Sequence, residues 1–67
     1  MTRYYVGDTF ESHVSTTYAG AVRFVRAMAR RRPGNVVVIA WTRDSQEYRE
    51  RFVWHDGDLI PHYGRGL

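Results

Sequence analysis

Hydrophobic residues recur at helical spacing in one stretch of the chain. On a helical wheel they form one arc, made of Val14, Tyr18, Ala21, Val22, Val25, Met28 and Ala29. Arg23, Arg26 and Arg30 fall on the opposite side of that wheel. The pattern predicts an amphipathic helix that is capped by Ser15 or Thr16 and ends at Pro33-Gly34.

The rest of the chain shows the patterns of β-strands. Residues 3–6 predict a first strand, and residues 9–13 predict either a short second strand or a loop. The β-branched run of residues 36–41 predicts a central strand, buried on both faces or on one face plus an edge of the core. Residues 46–55 alternate, Asp56-Gly57 predicts a tight hairpin, and residues 58–63 predict an edge strand because Pro61 lacks an amide proton.

Together these elements predict an α+β fold, with one amphipathic helix packed on a small, mostly antiparallel sheet in the order β(β)αβββ. We find no repeat and no linker, so we expect a single small domain over residues 1–67 with a mobile tail at residues 64–67. Alternation divides the fourth strand into two faces. One face carries Tyr48, Glu50, Phe52 and Trp54, and the other carries Glu47, Arg49, Arg51 and Val53.

The basic composition says more about the GC content of the genome than about the function of the protein. The chain has a formal net charge of +3, and all ten basic residues are arginine. Arginine, alanine, glycine and valine have GC-rich codons, so the missing lysines favour a bacterial or phage genome of high GC content. Cysteine is absent, which excludes disulfides and thiolate chemistry. With no signal peptide or membrane-spanning segment visible either, we expect a cytoplasmic protein and no membrane partner.

Residue types that serve catalysis and metal binding are present without the spacing that those sites need. For a metal site the candidates are His13, His55 and His62, with Asp56 or Asp58. For a small ribonuclease they are Glu50, His55, His62, Arg49 and Arg51. Neither set has a diagnostic pattern, so we expect no enzyme activity, no metal site, no cofactor and no small-molecule substrate.

The chain carries more aromatic side chains than a core of this size needs. Ten residues, or 15%, are aromatic. One helix covers one face of a sheet, and the adjacent Tyr4 and Tyr5 cannot both point toward it. We expect Tyr18, Tyr48, Phe52 and Trp54 in the core. The surplus is expected on the uncovered face or its edge, as a protein-interaction surface made of Tyr4, Tyr5, Trp41 and Tyr63.

Two functions follow from these patterns. The first is a small, non-enzymatic interaction module, a regulator or inhibitor that binds a partner protein or itself as a homodimer. The alternative is a nucleic-acid-binding accessory protein that uses an arginine-rich helix face. That face would comprise Arg23, Arg26, Arg30, Arg31 and Arg32. The sequence contains no helix-turn-helix pair, RNP motif or KH loop to support the alternative.

Overall fold

The computed structural model describes residues 1–62, which form five strands and one helix. The elements are β1 (Tyr4–Gly7), β2 (Ser12–Ser15), α1 (Tyr18–Arg31), β3 (Val37–Arg43), β4 (Gln46–His55) and β5 (Asp58–Pro61). The predicted α+β fold and element order are confirmed, and a second strand is present, at residues 12–15 instead of 9–13. Tyr63 and the tail predicted as mobile, residues 64–67, lie outside the described residues.

The five strands make one sheet in the order β2-β1-β3-β4-β5, and every neighbouring pair is antiparallel. Since β2 and β3 both run antiparallel to β1, they are parallel to each other on either side of it. The connection between them is α1, which crosses one face of the sheet. As Pro61 predicted, β5 lies at an edge.

Two tight turns set the register of the last three strands. Asp44 and Ser45 have φ values of 51° and 65°, and Asp56 and Gly57 have 51° and 77°. Two successive left-handed residues give a hairpin whose twist matches that of its strands. The resulting pairs, such as Trp41 with Tyr48, place the aromatic face of β4 on the same side as the buried residues of β3.

The core lies between α1 and this one face of the sheet. Its fully buried members are Val6, Val37 and Ile39 from the strands, and Ala21, Val25, Met28 and Ala29 from the helix. Half-buried hydrophobic side chains, including Phe52 and Trp54, surround them. Val38 and Ala40 point the other way and are only half-buried. Burial of β3 on both faces is therefore wrong, because one helix covers one face.

The helix begins later than the periodicity predicts. Its N-cap is Thr17, whose hydroxyl accepts a 3.0 Å hydrogen bond from the amide of Gly20. Ser15 is the last residue of β2, and its hydroxyl donates to the Thr17 carbonyl at 2.8 Å. Val14 also belongs to β2, so its predicted place on the helix arc is wrong. A Cβ at Gly20 would collide with the hydroxyls of Ser15 and Thr17, which explains the glycine.

Candidate protein-interaction surface

The sheet face that points away from α1 is the candidate surface, and we call it the open face. Alternation places on it the residues that lie between the buried ones: Tyr5, Gly7, Ser12, Val14, Val38, Ala40, Thr42, Glu47, Arg49, Arg51, Val53, His55, Asp58 and Ile60. Strand pairing orders the central ones into two rows. Val14, Tyr5, Ala40 and Arg49 form the first row, and Ser12, Gly7, Val38 and Arg51 form the second.

Much of the open face is apolar and accessible. Tyr5 and Val14 are each 53% exposed, and Ile60 is 36% exposed. Val38, Ala40 and Val53 are half-buried. A shallow depression of about 350 Å³ runs along the two rows, from Tyr5 and Gly7 to Arg49. No element among residues 1–62 packs over these side chains.

The charges of the open face are unevenly placed. Arg49 and Arg51 stand at the β4 end of the two central rows, and both are exposed. The carboxylates of this face, Glu47 and Asp58, lie toward opposite ends of the β4–β5 region. Within residues 1–62, neither guanidinium forms an ion pair. The middle of the face is therefore apolar with a positive border.

The predicted interaction residues lie on different faces of the sheet. Tyr5 lies on the open face, and its neighbour Tyr4 lies on the covered side, so the prediction that they point in opposite directions is confirmed. The structure places Tyr4 and Trp41 half-buried against the core instead of on the uncovered face. Their ring centroids are 5.4 Å apart. The fourth predicted residue, Tyr63, lies beyond the described residues.

Tyr18 and Tyr48 complete an aromatic cluster with Tyr4 and Trp41 near the start of α1. Tyr18 is 5.8 Å from Tyr4 and 6.0 Å from Trp41 between centroids, and Tyr48 stacks on Trp41 at 5.4 Å. Both Tyr18 and Tyr48 remain 40% exposed, so their predicted place inside the core is wrong. They form the outer rim of the cluster, because the helix begins only at Tyr18.

Glu50 is the partner of the Tyr18 hydroxyl. The hydroxyl donates to the Glu50 carboxylate at 2.5 Å, and this hydrogen bond raises the pKa of Tyr18 to about 12. Glu50 is half-buried on the covered side of β4. It thus pairs with a tyrosine on the helix.

The five arginines of the predicted arginine-rich helix face differ in their contacts. Arg31 donates to both carboxylate oxygens of Glu11 at 2.9 Å, and Arg32 donates to one of them at 3.1 Å. The Arg32 guanidinium also lies 4.4 Å from the ring centre of Phe10, and that of Arg30 lies 5.9 Å from Trp54. These three arginines contact other parts of the molecule.

Arg23 and Arg26 are the other two arginines of the arginine-rich helix face. Both are exposed on the outer side of α1, and neither forms an ion pair with a residue of the described part. The surface left for a phosphate backbone is therefore smaller than the sequence predicts.

Glu11 joins the β1–β2 loop to the end of the helix. Its carboxylate is also 2.7 Å from Nε2 of His13, whose ring stacks on Phe24 at 4.5 Å. The hydrogen bond with His13, followed by the contacts with Arg32 and Arg31, lowers the pKa of Glu11 to about 2. This cluster of charges accounts for His13 and two of the arginines as structural residues.

The candidate ribonuclease residues are only partly brought together. Glu50, His62, Arg49 and Arg51 line a notch of about 230 Å³ at the point where β5 ends. Alternation directs the Glu50 carboxylate to the covered side, toward Tyr18, while Arg49 and Arg51 project from the open face. His55 lies at the far end of β4, 3.2 Å from Asp56. The notch therefore does not converge a base, an acid and a cation on one point.

Within residues 1–62, no group of three or more histidine, aspartate or glutamate side chains is placed to hold a metal ion. The single helix of this region is also too short and too polar to cross a bilayer.

The sequence predicts the position of some open-face residues and not of others. The alternation of β4 correctly placed Arg49, Arg51 and Val53 on one face. Val14, Val38 and Ala40 were missed, because their place depends on the order β2-β1-β3. No family model, curated protein or solved structure matches the chain, so its function has to be inferred from the geometry of this face.

Proposed function

We propose that the protein is a non-enzymatic interaction module that binds a partner protein through the open face. One observation carries the proposal: apolar residues run across three adjacent strands, and they are bordered by two arginines that form no ion pair within residues 1–62. Contiguous exposed apolar surface of this kind marks interaction sites in soluble proteins. Tyrosine and arginine, the residue types of Tyr5, Arg49 and Arg51, are enriched among the residues that dominate binding energy.

The architecture supports the same proposal. A sheet with apolar side chains on both faces is usually covered on both, in a three-layer arrangement. Here α1 supplies the second layer, and a partner would supply the third. A small regulator or inhibitor is the kind of protein that this arrangement fits. A cytoplasmic location and a bacterial or phage origin remain predictions, based on the lack of cysteine and lysine.

The alternative, nucleic-acid binding by the helix face, has narrower support. It rests on Arg23 and Arg26, which are exposed and lie three positions apart on one side of α1. Arg30, Arg31 and Arg32 have contacts within the chain that would have to be given up or shared. Two phosphate contacts give a weak affinity whose salt slope is only about −1.8.

A photo-crosslinking experiment tests the proposed function. A photoreactive amino acid replaces Tyr5 on the open face or, as a matched control, Arg23 on the outer side of α1. After irradiation in the producing cells and nuclease treatment, we expect a discrete protein adduct from position 5 and none from position 23. Adducts of equal strength from both positions, or nucleic-acid adducts from position 23 alone, would contradict the proposal.

A further inference from the structure

We infer that the open face binds a segment of another protein that presents apolar side chains flanked by carboxylates. This inference rests on the proposed function and names the chemistry of the partner. It starts from the fact that an arginine borders the apolar part of each central row: Arg49 ends the first row, and Arg51 borders the second beside His62, whose amide donates to the Arg51 carbonyl at 2.8 Å. No carboxylate of residues 1–62 neutralises either one.

The spacing of the strands sets the size of the occupant. Neighbouring strands are about 4.8 Å apart, so β2, β1 and β3 present an apolar strip roughly 10–15 Å wide. That width matches one α-helix, whose diameter with side chains is about 10–12 Å. A helix laid along the strip would place residues of one flank beside Arg49 and Arg51, where carboxylates complement the charge.

Gly7 supplies a second observation, independent of charge. It lies in the middle of the second row, between Ser12 and Val38. A Cβ at this position would meet its nearest neighbours, the Glu11 carbonyl and the Ser12 Cβ, at an ordinary 3.7 Å. The fold therefore does not need glycine here, although glycine weakens a strand. Its missing side chain forms part of the floor of the 350 Å³ depression, which can receive an apolar side chain of the partner.

Charge argues against a second copy of the chain as the occupant. If two open faces met with their central rows together around a twofold axis, the middle of the interface would contain four arginines, from Arg49 and Arg51 of each copy, while Glu47 and Asp58 lie toward the ends of the face. The outer side of α1 offers no better partner, because it carries Arg23 and Arg26. Nucleic acid is also disfavoured, because Tyr5 is the one tyrosine, tryptophan or phenylalanine on this face among the described residues.

The test uses displayed helical peptides with a fixed leucine stripe and flanking positions randomised among glutamate, lysine, glutamine and alanine. Selection on the wild-type protein is expected to enrich glutamate beside the stripe. The Arg49→Glu/Arg51→Glu variant is expected to enrich lysine instead, and to bind the wild-type-selected peptides about tenfold more weakly. The Arg23→Glu/Arg26→Glu variant has the same change in net charge on the opposite surface, and it should select as the wild type does.

Gly7→Val tests the depression directly. The variant should keep the wild-type circular dichroism and unfolding curve, because its Cβ meets the nearest atoms at an ordinary 3.7 Å and valine favours a strand. It should still bind the selected peptides at least about tenfold more weakly, since the depression is filled. Unchanged binding by folded Gly7→Val would overturn the inferred docking position.

The remaining outcomes separate this inference from the proposed function. Adducts from position 5 together with peptides that show no acidic preference would overturn the inference and leave the proposed function standing. Absence of both the adducts and peptide enrichment would overturn both. Two results would overturn the inference in favour of another occupant. Self-association of the wild type in sedimentation that Gly7→Val abolishes would indicate a second copy of the chain. Binding of a single-stranded oligothymidine that Arg49→Glu/Arg51→Glu abolishes would indicate nucleic acid.

Discussion

The two faces of the sheet differ in what covers them more than in what they are made of. Val37 and Val38 are neighbours in β3, yet Val37 is fully buried under α1 and Val38 is half-buried on the open face. Tyr4 and Tyr5 divide in the same way. Alternation sends consecutive side chains to opposite faces, and one helix covers one of them. The core and the open face can therefore be altered separately in this protein, by changing residues that are adjacent in sequence.

The covered face is held at both ends of the helix by polar contacts that the open face lacks. Near the start of α1, the Tyr18 hydroxyl donates to Glu50 of β4. At its end, Arg31 and Arg32 bind Glu11 of the β1–β2 loop. These contacts connect the helix to distant parts of the chain, so they contribute to keeping it over the sheet.

The largest expected difference between the faces is in stability. Ile39→Ala should lower the free energy of unfolding by about 2–5 kcal/mol, because it leaves a cavity beneath α1. That is a large part of the roughly 5–15 kcal/mol that stabilises a typical domain. Val38→Ala, one residue away, should cost less than about 1 kcal/mol, because its site is half exposed. Urea unfolding followed by tryptophan fluorescence measures both, and equal losses would contradict the division into two faces.

The second prediction concerns how closely the helix start approaches β2. In an unhindered helix, Gly20→Ala would add about 1 kcal/mol of stability. Here the new Cβ would displace the hydroxyls of Ser15 and Thr17, so we expect a loss of about 1–2 kcal/mol.

Ser15→Ala supplies the matched control for that substitution. It removes the nearest obstacle, so Gly20→Ala should be less harmful in the Ser15→Ala background than in the wild type. A stabilising effect of Gly20→Ala alone would show that the helix can move away from β2 at no cost.

The sequence predicts the covered face better than it predicts the start of the helix. The strict alternation of residues 46–55 and the turn at Asp56-Gly57 gave the bounds and faces of β4 correctly. Ser15, Thr16 and Thr17 are all good N-caps, so the capping residue could not be chosen from local preference. Val14 also continues the helical period by coincidence, although pairing with Tyr5 places it in β2.

The candidate site was harder to predict, because it is made by pairing between distant strands. Val14, Tyr5, Ala40 and Arg49 share a row only because β1 inserts between β2 and β3. No local pattern specifies that insertion. An excess of aromatic residues likewise indicates surplus surface without saying which face carries it. That is why the predicted surface combined Tyr4 and Trp41, which pack against the core, with Tyr5 of the open face.

A smaller effect is expected from the contacts at the end of the helix, and it depends on pH. The pKa of Glu11 is lowered from 4.5 to about 2, so the ionised form stabilises the fold. This contribution is fully present above about pH 4.5 and is lost as the pH falls through 2. The stability difference between wild type and Glu11→Gln should therefore shrink over that interval. Because Glu11 is partly exposed, we expect a smaller change in the free energy of unfolding from Glu11→Gln than from a core substitution.

Arginine variants test the cause of that pH dependence. Arg32→Gln or Arg31→Gln should raise the pKa of Glu11 and move the acid limb of the stability curve to higher pH, because each removes a cation beside the carboxylate. Arg23→Gln also removes one positive charge, but far from Glu11, so it should leave the acid limb of the stability curve in place. The measurement is urea unfolding from pH 2 to pH 7, and a limb that responds equally to all three variants would indicate general charge repulsion.

The smallest effect is expected at the start of the helix, where Tyr18 is 40% exposed. Its pKa is raised from 10.0 to about 12, so the hydrogen bond to Glu50 stabilises the fold below pH 10 and loses this effect as the pH rises through 12. The stability difference between wild type and Tyr18→Phe should disappear over that interval. In the folded protein, the tyrosinate absorbance that Tyr18→Phe removes should titrate near pH 12. Titration of this absorbance at pH 10 would show that the helix start is not bonded to β4, and that the covered face is held there by the aromatic rings alone.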